Sequence, residues 1–164
     1  MTVAQTIHVG MADLVAVKVP SLLVTLGLGS CIGVVIYDPR NKVAGMAHIM
    51  LPDSRDAGAV LKPGKFADTA VPRLLQELSA LGALPSNLQA KIAGGAQMFN
   101  IPGKDSGLLA VGARNIEATK RWLAHFNVPL VAEDTGGNKG RSIEFNVPLW
   151  NLSVKVLGVG VKEL

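Results

Sequence analysis

The chain has 164 residues, of which 49% are hydrophobic, 17% charged and 4% aromatic, with one cysteine and a formal net charge of +4 at pH 7. This length suits a single domain, residues 1–164, with a large core. We expect a cytoplasmic protein without direct membrane insertion, because the chain has a lone cysteine, no secretory signal and no apolar run as long as the ~20 residues of a membrane span. Because the basic residues are scattered and few aromatic residues could stack on bases, we expect no nucleic-acid partner and only mild attraction to acidic protein surfaces.

Segments rich in valine and leucine predict the first strands. Residues 14–19 and 22–28 are apolar on both faces, which is typical of strands in a sheet that is covered on both sides. Residues 32–37 and 43–51 follow, and Asp38 begins the sequence Asp-Pro between them, which favours a type I turn. These two strands are therefore predicted to form an antiparallel hairpin.

Two amphipathic helices are predicted by apolar residues at helical spacing. The first covers residues 69–81, with Pro72 in its first turn and Gly82 able to close its end. The second covers residues 113–126, and Asn127 can cap its C-terminus. Further strands are predicted at residues 90–93, 108–111, 130–133, 142–147 and 152–156. Because hairpins are mixed with isolated helices, the fold class is predicted to be α+β and not a regular βαβ series.

Cys31 follows a glycine-rich segment that would leave the backbone around its thiol bare. In a hairpin closed between Asp38 and Asn41, Cys31 lies directly opposite His48 on the same face, with the two Cβ atoms about 4.5–5.5 Å apart. A slip of one residue would instead place His48 opposite Ile32, on the wrong face. A thiol beside a neutral imidazole is the arrangement that a nucleophilic cysteine needs.

Two further features would complete such a site. Thr25 is the nearest upstream hydroxyl that could orient the His48 ring, and the backbone N–H groups of Ser30 and Cys31 could hold a developing oxyanion. A lone cysteine between strands is, however, most often a small buried hydrophobic residue. A histidine among apolar neighbours is likewise often part of a core, so spacing alone leaves both alternatives open.

Metal and nucleotide sites are not expected. No cluster of cysteine, histidine and carboxylate residues has the spacing of a zinc site. Gly27, Gly29 and Gly33 run into a strand, whereas a dinucleotide-binding motif runs into a helix. His8 and His125 are assigned no chemistry.

Six segments, in this order along the chain, together resemble the CheD family of chemotaxis proteins. They are TLGLGSC (25–31), AHIMLPDS (47–54), KFADTA (65–70), AGGAQMF (93–99), GARN (112–115) and DTGG (134–137). Several specific motifs in one order indicate a family far more strongly than any single glycine pattern. The resemblance covers roughly residues 9–156, and nothing is transferred to residues 157–164.

The resemblance implies a chemoreceptor glutamine deamidase that acts on glutamine side chains in the cytoplasmic helices of methyl-accepting chemotaxis receptors. It places the family's nucleophile on Cys31, its general base and acid on His48 and its orienting hydroxyl on Thr25. The implied fold is a mixed or antiparallel β-sandwich with flanking helices, similar to the catalytic domain of cytotoxic necrotizing factor toxins. The implied partner is the phosphatase CheC, and no metal or organic cofactor is required.

Two other functions stay open. Hydrolysis of receptor glutamyl methyl esters would pass through the same thioester, and a protein that only binds and controls its phosphatase partner would need no catalysis. Candidate substrate contacts are Phe66, Met98, Phe99 and Arg114. Core packing is the more common role for each of these residue types in isolation.

Overall fold

The computed structural model describes residues 5–18, 20–98 and 110–164. Within these ranges the chain forms ten strands and two α-helices, with short 3-10 helices at Pro63–Lys65 and Pro85–Asn87. The elements in chain order are β1 (Gln5–His8), β2 (Leu14–Val17), β3 (Ser21–Leu28), β4 (Ile32–Asp38), β5 (Val43–Ile49), α1 (Ala67–Ala80), β6 (Gln89–Gly94), α2 (Val111–His125), β7 (Leu130–Thr135), β8 (Arg141–Val147), β9 (Leu152–Val156) and β10 (Gly160–Glu163).

The strands form two five-stranded mixed sheets. The first sheet has the order β1-β3-β8-β9-β10 and the second has the order β2-β5-β4-β6-β7. Strands β1 and β3 are parallel, as are β6 and β7, and the remaining neighbours are antiparallel. The sheets meet in a buried core that includes Leu23 and Phe145 from the first sheet and Val35 and Met46 from the second.

Both helices cover the other face of the second sheet. Leu74 of α1 and Leu123 of α2 are buried in one cluster with Val34 and Ile36 of β4. Strand β4 therefore buries its side chains on both faces, which explains why its sequence is continuously apolar instead of alternating with polar residues.

The predicted α+β class is confirmed, as are the central strands and the two helices. Gly82 and Asn127 follow the ends of α1 and α2 with positive φ angles of 103° and 59°, as predicted for residues that close a helix. The similarity to the catalytic domain of cytotoxic necrotizing factor toxins stays a prediction.

Several boundaries differ from the prediction. The sequence predicts neither β1 nor β10, because such short segments with polar side chains lack an apolar alternation. Helix α1 begins at Ala67, so Pro72 lies inside the helix and not in its first turn. The strand predicted at residues 108–111 is wrong at Val111, which begins α2, and residues 108 and 109 lie outside the described residues. A short apolar run does not distinguish a strand from a helix.

The β4–β5 connection is longer than the predicted two-residue turn. Asp38 pairs with Val43, so four residues, 39–42, connect the two strands. The Asp38 carboxylate accepts hydrogen bonds from the backbone N–H groups of Arg40 and Asn41, at 2.9 and 3.0 Å. These bonds hold the longer loop in place, because the carboxylate replaces the backbone carbonyl that accepts the hydrogen bond in a tight turn.

The longer loop changes the register of the hairpin by two residues. His48 pairs with Gly33, so the predicted direct opposition of Cys31 and His48 is wrong. Side chains on a strand alternate with a period of two, and a shift of two residues therefore leaves His48 on the predicted face. Cys31 and His48 are diagonal neighbours across the hairpin instead of an opposed pair.

Candidate active site

The three side chains predicted to form the site all belong to the core between the two sheets. Thr25 of β3 and His48 of β5 come from different sheets, and both are 1% exposed. Cys31 lies in the segment that leads into β4 and packs against the same core, where it is half-buried. The thiol is thus the most accessible of the three groups.

Gly33 makes room for Thr25 and His48 to meet. It lies opposite His48 in the hairpin. A Cβ atom on Gly33 would lie 3.4 Å from Cγ2 of Thr25 and only 2.5 Å from Cδ1 of Ile143. A side chain at this position would therefore push the two sheets apart where the hydroxyl and the imidazole make contact.

The hydrogen bonds of Thr25 determine the tautomer of His48. The Thr25 hydroxyl lies 2.6 Å from the carbonyl oxygen of Val9 and 2.7 Å from Nδ1 of His48. A carbonyl only accepts, so the single hydroxyl proton is donated to Val9 and the hydroxyl oxygen accepts the Nδ1–H of His48. The proton on Nδ1 leaves Nε2 with its lone pair, ready to accept a proton.

Nε2 of His48 is buried, and the described residues give it no hydrogen-bond partner. Burial lowers the pKa of His48 below its ordinary value of 6.5, although the nearby negative charge of Asp13 opposes this effect. Burial raises the pKa of the Cys31 thiol. Both shifts favour a neutral thiol and a neutral imidazole in the resting protein.

Two backbone segments frame Cys31. Its carbonyl oxygen accepts a hydrogen bond of 2.8 Å from the N–H of Gly95, while the N–H of Ala96 donates to Gly29, also at 2.8 Å. A Cβ atom on Gly94, which has a φ of +114°, would lie 2.2 Å from the Cys31 carbonyl oxygen. Close contact of the two segments therefore requires glycine at position 94.

The N–H groups of Ser30 and Cys31 have no hydrogen-bond acceptor within the described ranges. They lie next to the thiol in sequence, and the bonds at Gly29 and at the Cys31 carbonyl hold the backbone on either side of them. Free N–H groups on a held backbone are chemically suited to bind a negatively charged oxygen.

Sequence reasoning did not identify three contributors to this arrangement. They are the Val9 carbonyl, Gly33 and Asn115, whose side chain contacts both segments of the site. A backbone carbonyl carries no signal in a sequence. Asn115 did carry one, because it lies one turn before buried Thr119 and is thus a polar residue on the buried side of α2.

Two cavities lie beside the site. The first, of about 680 Å³, is lined in part by Met50, Phe66 and Arg114. The second, of about 730 Å³, is lined in part by Gly29 and Met98. Cys31 and His48 are absent from the described lining of both, so the cavities flank the thiol instead of containing it.

The candidate substrate contacts are divided between these surroundings. Phe66, which is 6% exposed, and Arg114 both line the first cavity. Met98 is 51% exposed in the second cavity, and Phe99 lies outside the described residues.

No helix in the described part of the chain is long and apolar enough to cross a membrane.

Over residues 5–18, 20–98 and 110–164, the fold is α+β with two mixed sheets and two helices, and a threonine hydroxyl fixes a buried imidazole in the same core as a half-buried thiol. A family model described as CheD chemotactic sensory transduction matches residues 50–156.

Curated relatives match along nearly the whole chain. The "Probable chemoreceptor glutamine deamidase CheD" of Geobacillus kaustophilus is 46% identical over 165 residues, covering 100% of both chains. The "Chemoreceptor glutamine deamidase CheD" of Thermotoga maritima is 49% identical over 160 residues, covering 95% of this chain and 98% of the relative. The chain therefore belongs to the CheD family, as its motifs predict.

Among solved structures, the chain is similar to the Bacillus licheniformis hypothetical protein YfiH, with a TM-score of 0.47 and 16% sequence identity. That likeness covers 75% of this chain and 50% of the other, and it is too weak to bear on the fold or the activity.

Proposed function

We propose that this protein is a chemoreceptor glutamine deamidase with Cys31 as its nucleophile and His48 as its general base and acid. The observation that carries the proposal is the tautomer of His48: Thr25 accepts the Nδ1–H, so the lone pair is on Nε2, which is buried. In the hairpin register Cys31 is a diagonal neighbour of His48. Membership of the CheD family supports the substrate class, because its curated relatives carry the name of this activity.

The first half of the reaction transfers the substrate acyl group to sulfur. Nε2 of His48 takes the proton of the Cys31 thiol while the sulfur attacks the side-chain carbonyl carbon of a receptor glutamine. The N–H groups of Ser30 and Cys31 bind the oxygen on which negative charge develops. The imidazolium then protonates the leaving nitrogen, and ammonia departs to leave a thioester.

The second half of the reaction regenerates the enzyme. His48, now neutral, removes a proton from water as the water oxygen attacks the thioester carbonyl. The bond to sulfur breaks, the Cys31 thiolate regains its proton from the imidazolium, and glutamate remains on the receptor. Thr25 keeps the ring in the required tautomer throughout, which is the role of the third member of a catalytic triad.

Mass spectrometry of a receptor cytoplasmic fragment tests this proposal. The wild-type protein should convert glutamine residues to glutamate, and Cys31→Ala and His48→Ala should each leave them as amides while still binding the fragment. His125→Ala is the matched control, because His125 is an exposed histidine of α2 far from this chemistry in sequence, and it should retain activity. Wild-type amounts of product from Cys31→Ala would exclude Cys31 as the nucleophile.

The same incubations separate deamidation from ester hydrolysis. A receptor fragment carrying glutamine releases ammonia, and one carrying glutamyl methyl esters releases methanol, although both routes pass through a thioester on Cys31. Comparing the two release rates identifies the preferred reaction. If Cys31→Ala restores chemotaxis in a deletion strain, the protein acts by binding alone.

Family membership also supports a regulatory partner, the phosphatase CheC. We expect the two proteins to form a complex and CheC to compete with the receptor fragment for this chain. Addition of CheC should therefore reduce the deamidation rate in proportion to the fraction of complex. An undiminished rate at saturating CheC would contradict competition for the same surface.

A further inference from the structure

We infer that Asn115 is a positioning residue that holds the segments carrying Cys31 and His48 at a fixed separation. The inference rests on the proposed function, since it concerns the alignment of the thiol with the imidazole. Asn115 lies in α2, outside both sheets, and its side chain is fully buried. It contacts neither the thiol nor the ring through any described hydrogen bond, so it acts through the backbone that carries them.

The side-chain amide of Asn115 donates to two carbonyl groups. Its Nδ2 lies 2.9 Å from the carbonyl oxygen of Ser30, the residue before Cys31, and 3.0 Å from that of Met50, two residues after His48. An amide NH₂ group has two protons, and both are used here. One side chain thus bridges the segments that carry the nucleophile and the base.

The bridge occupies the place where the sheet stops connecting these segments. The ladder between β4 and β5 ends at the pair Ile32 and Ile49. Cys31 lies just beyond that pair, and the described backbone hydrogen bonds tie it to Gly95 of the neighbouring segment instead of to β5. The Asn115 amide therefore continues the connection between the two segments at the point where the thiol is attached.

The first turn of α2 is packed closely enough to reach this point. A Cβ atom on Gly112 would lie 2.5 Å from the carbonyl oxygen of Ala96 and 2.6 Å from that of Gly95. Gly95 in turn donates its N–H to the Cys31 carbonyl. The absence of a side chain at Gly112 thus lets the helix lie directly against the frame of Cys31, with Asn115 one turn further along.

The remaining polar atom of the amide argues for this function over simple packing. Oδ1 of Asn115 is buried without a hydrogen-bond partner among the described residues. Burying an unpaired amide oxygen costs free energy that an apolar side chain of similar size would not cost. An apolar residue would fill the same space without an unpaired buried oxygen. An asparagine at this position is therefore explained by the two hydrogen bonds that its NH₂ group donates.

The test uses the single cysteine of the chain, because alkylation of the full-length protein by iodoacetamide reports on Cys31 alone. Asn115→Ala removes both donors, and Asn115→Asp keeps the shape but replaces the donating NH₂ with an acceptor. The matched control is Thr119→Val, which changes a fully buried polar residue on the same helix whose hydroxyl has no described partner. Each variant is measured for thermal unfolding, for the pH profile of alkylation, and for kcat and KM on the receptor fragment.

Both Asn115 variants should lower kcat by about 100-fold with KM within about twofold, because a misplacement of about 1 Å between reacting groups costs this much. They should also slow alkylation near neutral pH to the rate of His48→Gln, since the imidazole no longer assists proton removal. Adding Asn115→Ala to His48→Gln should then cause no further loss, because the two changes disable one function. Thr119→Val should leave all three measurements near wild type.

Three results would overturn the inference. Folded Asn115 variants with wild-type kcat and alkylation profile would show that no positioning occurs. Additive losses in the double variant would show that Asn115 does not act through His48. Failure of both Asn115 variants to fold would mean that the amide serves the fold and not the site. If Cys31→Ala remained an active deamidase, the proposed role of Cys31 as nucleophile would fail, yet the alkylation profiles of the Asn115 variants would still decide whether Asn115 aligns thiol and imidazole.

Discussion

Replacing Thr25 with valine removes the hydroxyl on which the orientation of His48 depends, while nearly preserving the volume of the side chain. Thr25 is 1% exposed, so water cannot take the place of the lost hydroxyl. The change leaves two buried groups without partners, the Val9 carbonyl and the Nδ1–H of His48, which the hydroxyl contacts at 2.6 and 2.7 Å. Each such loss costs about 1–3 kcal/mol, so we expect destabilisation of about 2–6 kcal/mol.

The effect on catalysis should exceed what this loss of stability explains. Without the hydroxyl, nothing favours the proton on Nδ1, and the ring can turn or adopt the tautomer whose Nε2 carries a proton and cannot serve as a base. We expect kcat for ammonia release from a receptor fragment to fall by about 100-fold in protein that is still folded. Thr25→Ser keeps the hydroxyl and is the matched control, so it should retain most of both stability and activity.

Urea unfolding gives the change in stability, and NMR of the labelled imidazole gives the tautomer directly. The wild-type spectrum should show the proton on Nδ1 of His48. A wild-type spectrum with the proton on Nε2 would refute the assignment, and so would a folded Thr25→Val variant with undiminished kcat.

Three other changes test the electrostatics and the backbone around the site. Asp13→Asn removes the charge that opposes the lowering of the His48 pKa. Because His48 must be neutral to act as the proposed base, the acidic limb of kcat/KM should lie below the ordinary value of 6.5 in the wild type and move lower still in the variant. Because the pKa of His48 is lower in the folded protein, His48 binds a proton at a higher pH in the unfolded chain. The free energy of unfolding, measured with urea, should therefore fall as the pH drops through 6.5 towards the folded pKa. Asp38→Ala deletes the carboxylate that holds the hairpin loop and should cost about 3 kcal/mol in the same assay. Gly94→Ala should destabilise the fold by about 1–3 kcal/mol through the positive φ at this position alone. It should also change the alkylation rate of Cys31, because the added Cβ would lie 2.2 Å from the Cys31 carbonyl oxygen.

The placement of Cys31 and His48 on one face was predictable because its signals are local. Strand β4 is continuously apolar, so its sequence alone indicates a strand covered on both faces. The spacing of Cys31 and His48 across a hairpin indicates which side chains share a face, and that conclusion depends only on whether the register shift is odd or even. The register itself was not predictable, since it depends on bonds to the Asp38 carboxylate that no turn propensity contains.

The parts that sequence reasoning did not supply come from distant segments. The Val9 carbonyl reaches Thr25 because β1 runs parallel to β3. The sequence of a four-residue strand with polar side chains does not predict that contact. Asn115 reaches the site from a helix on the far side of the second sheet. Contacts of this kind follow from how the layers stack, which no local period of apolar residues specifies.

The opposite pKa shifts of Cys31 and His48 suggest when the site becomes reactive. Burial raises the pKa of the thiol and lowers that of the imidazole, so an ion pair between them is disfavoured while the site is empty. In the proposed mechanism a bound carboxamide changes this balance, because negative charge passes from the sulfur to an oxygen that the N–H groups of Ser30 and Cys31 can hold. Neither N–H group has an acceptor among the described residues. Proton transfer to Nε2 is then favoured in the transition state more than in the resting protein, which is the condition for catalysis. The acceleration that His48 gives should therefore be larger for a substrate that reaches those two N–H groups than for a general electrophile such as iodoacetamide.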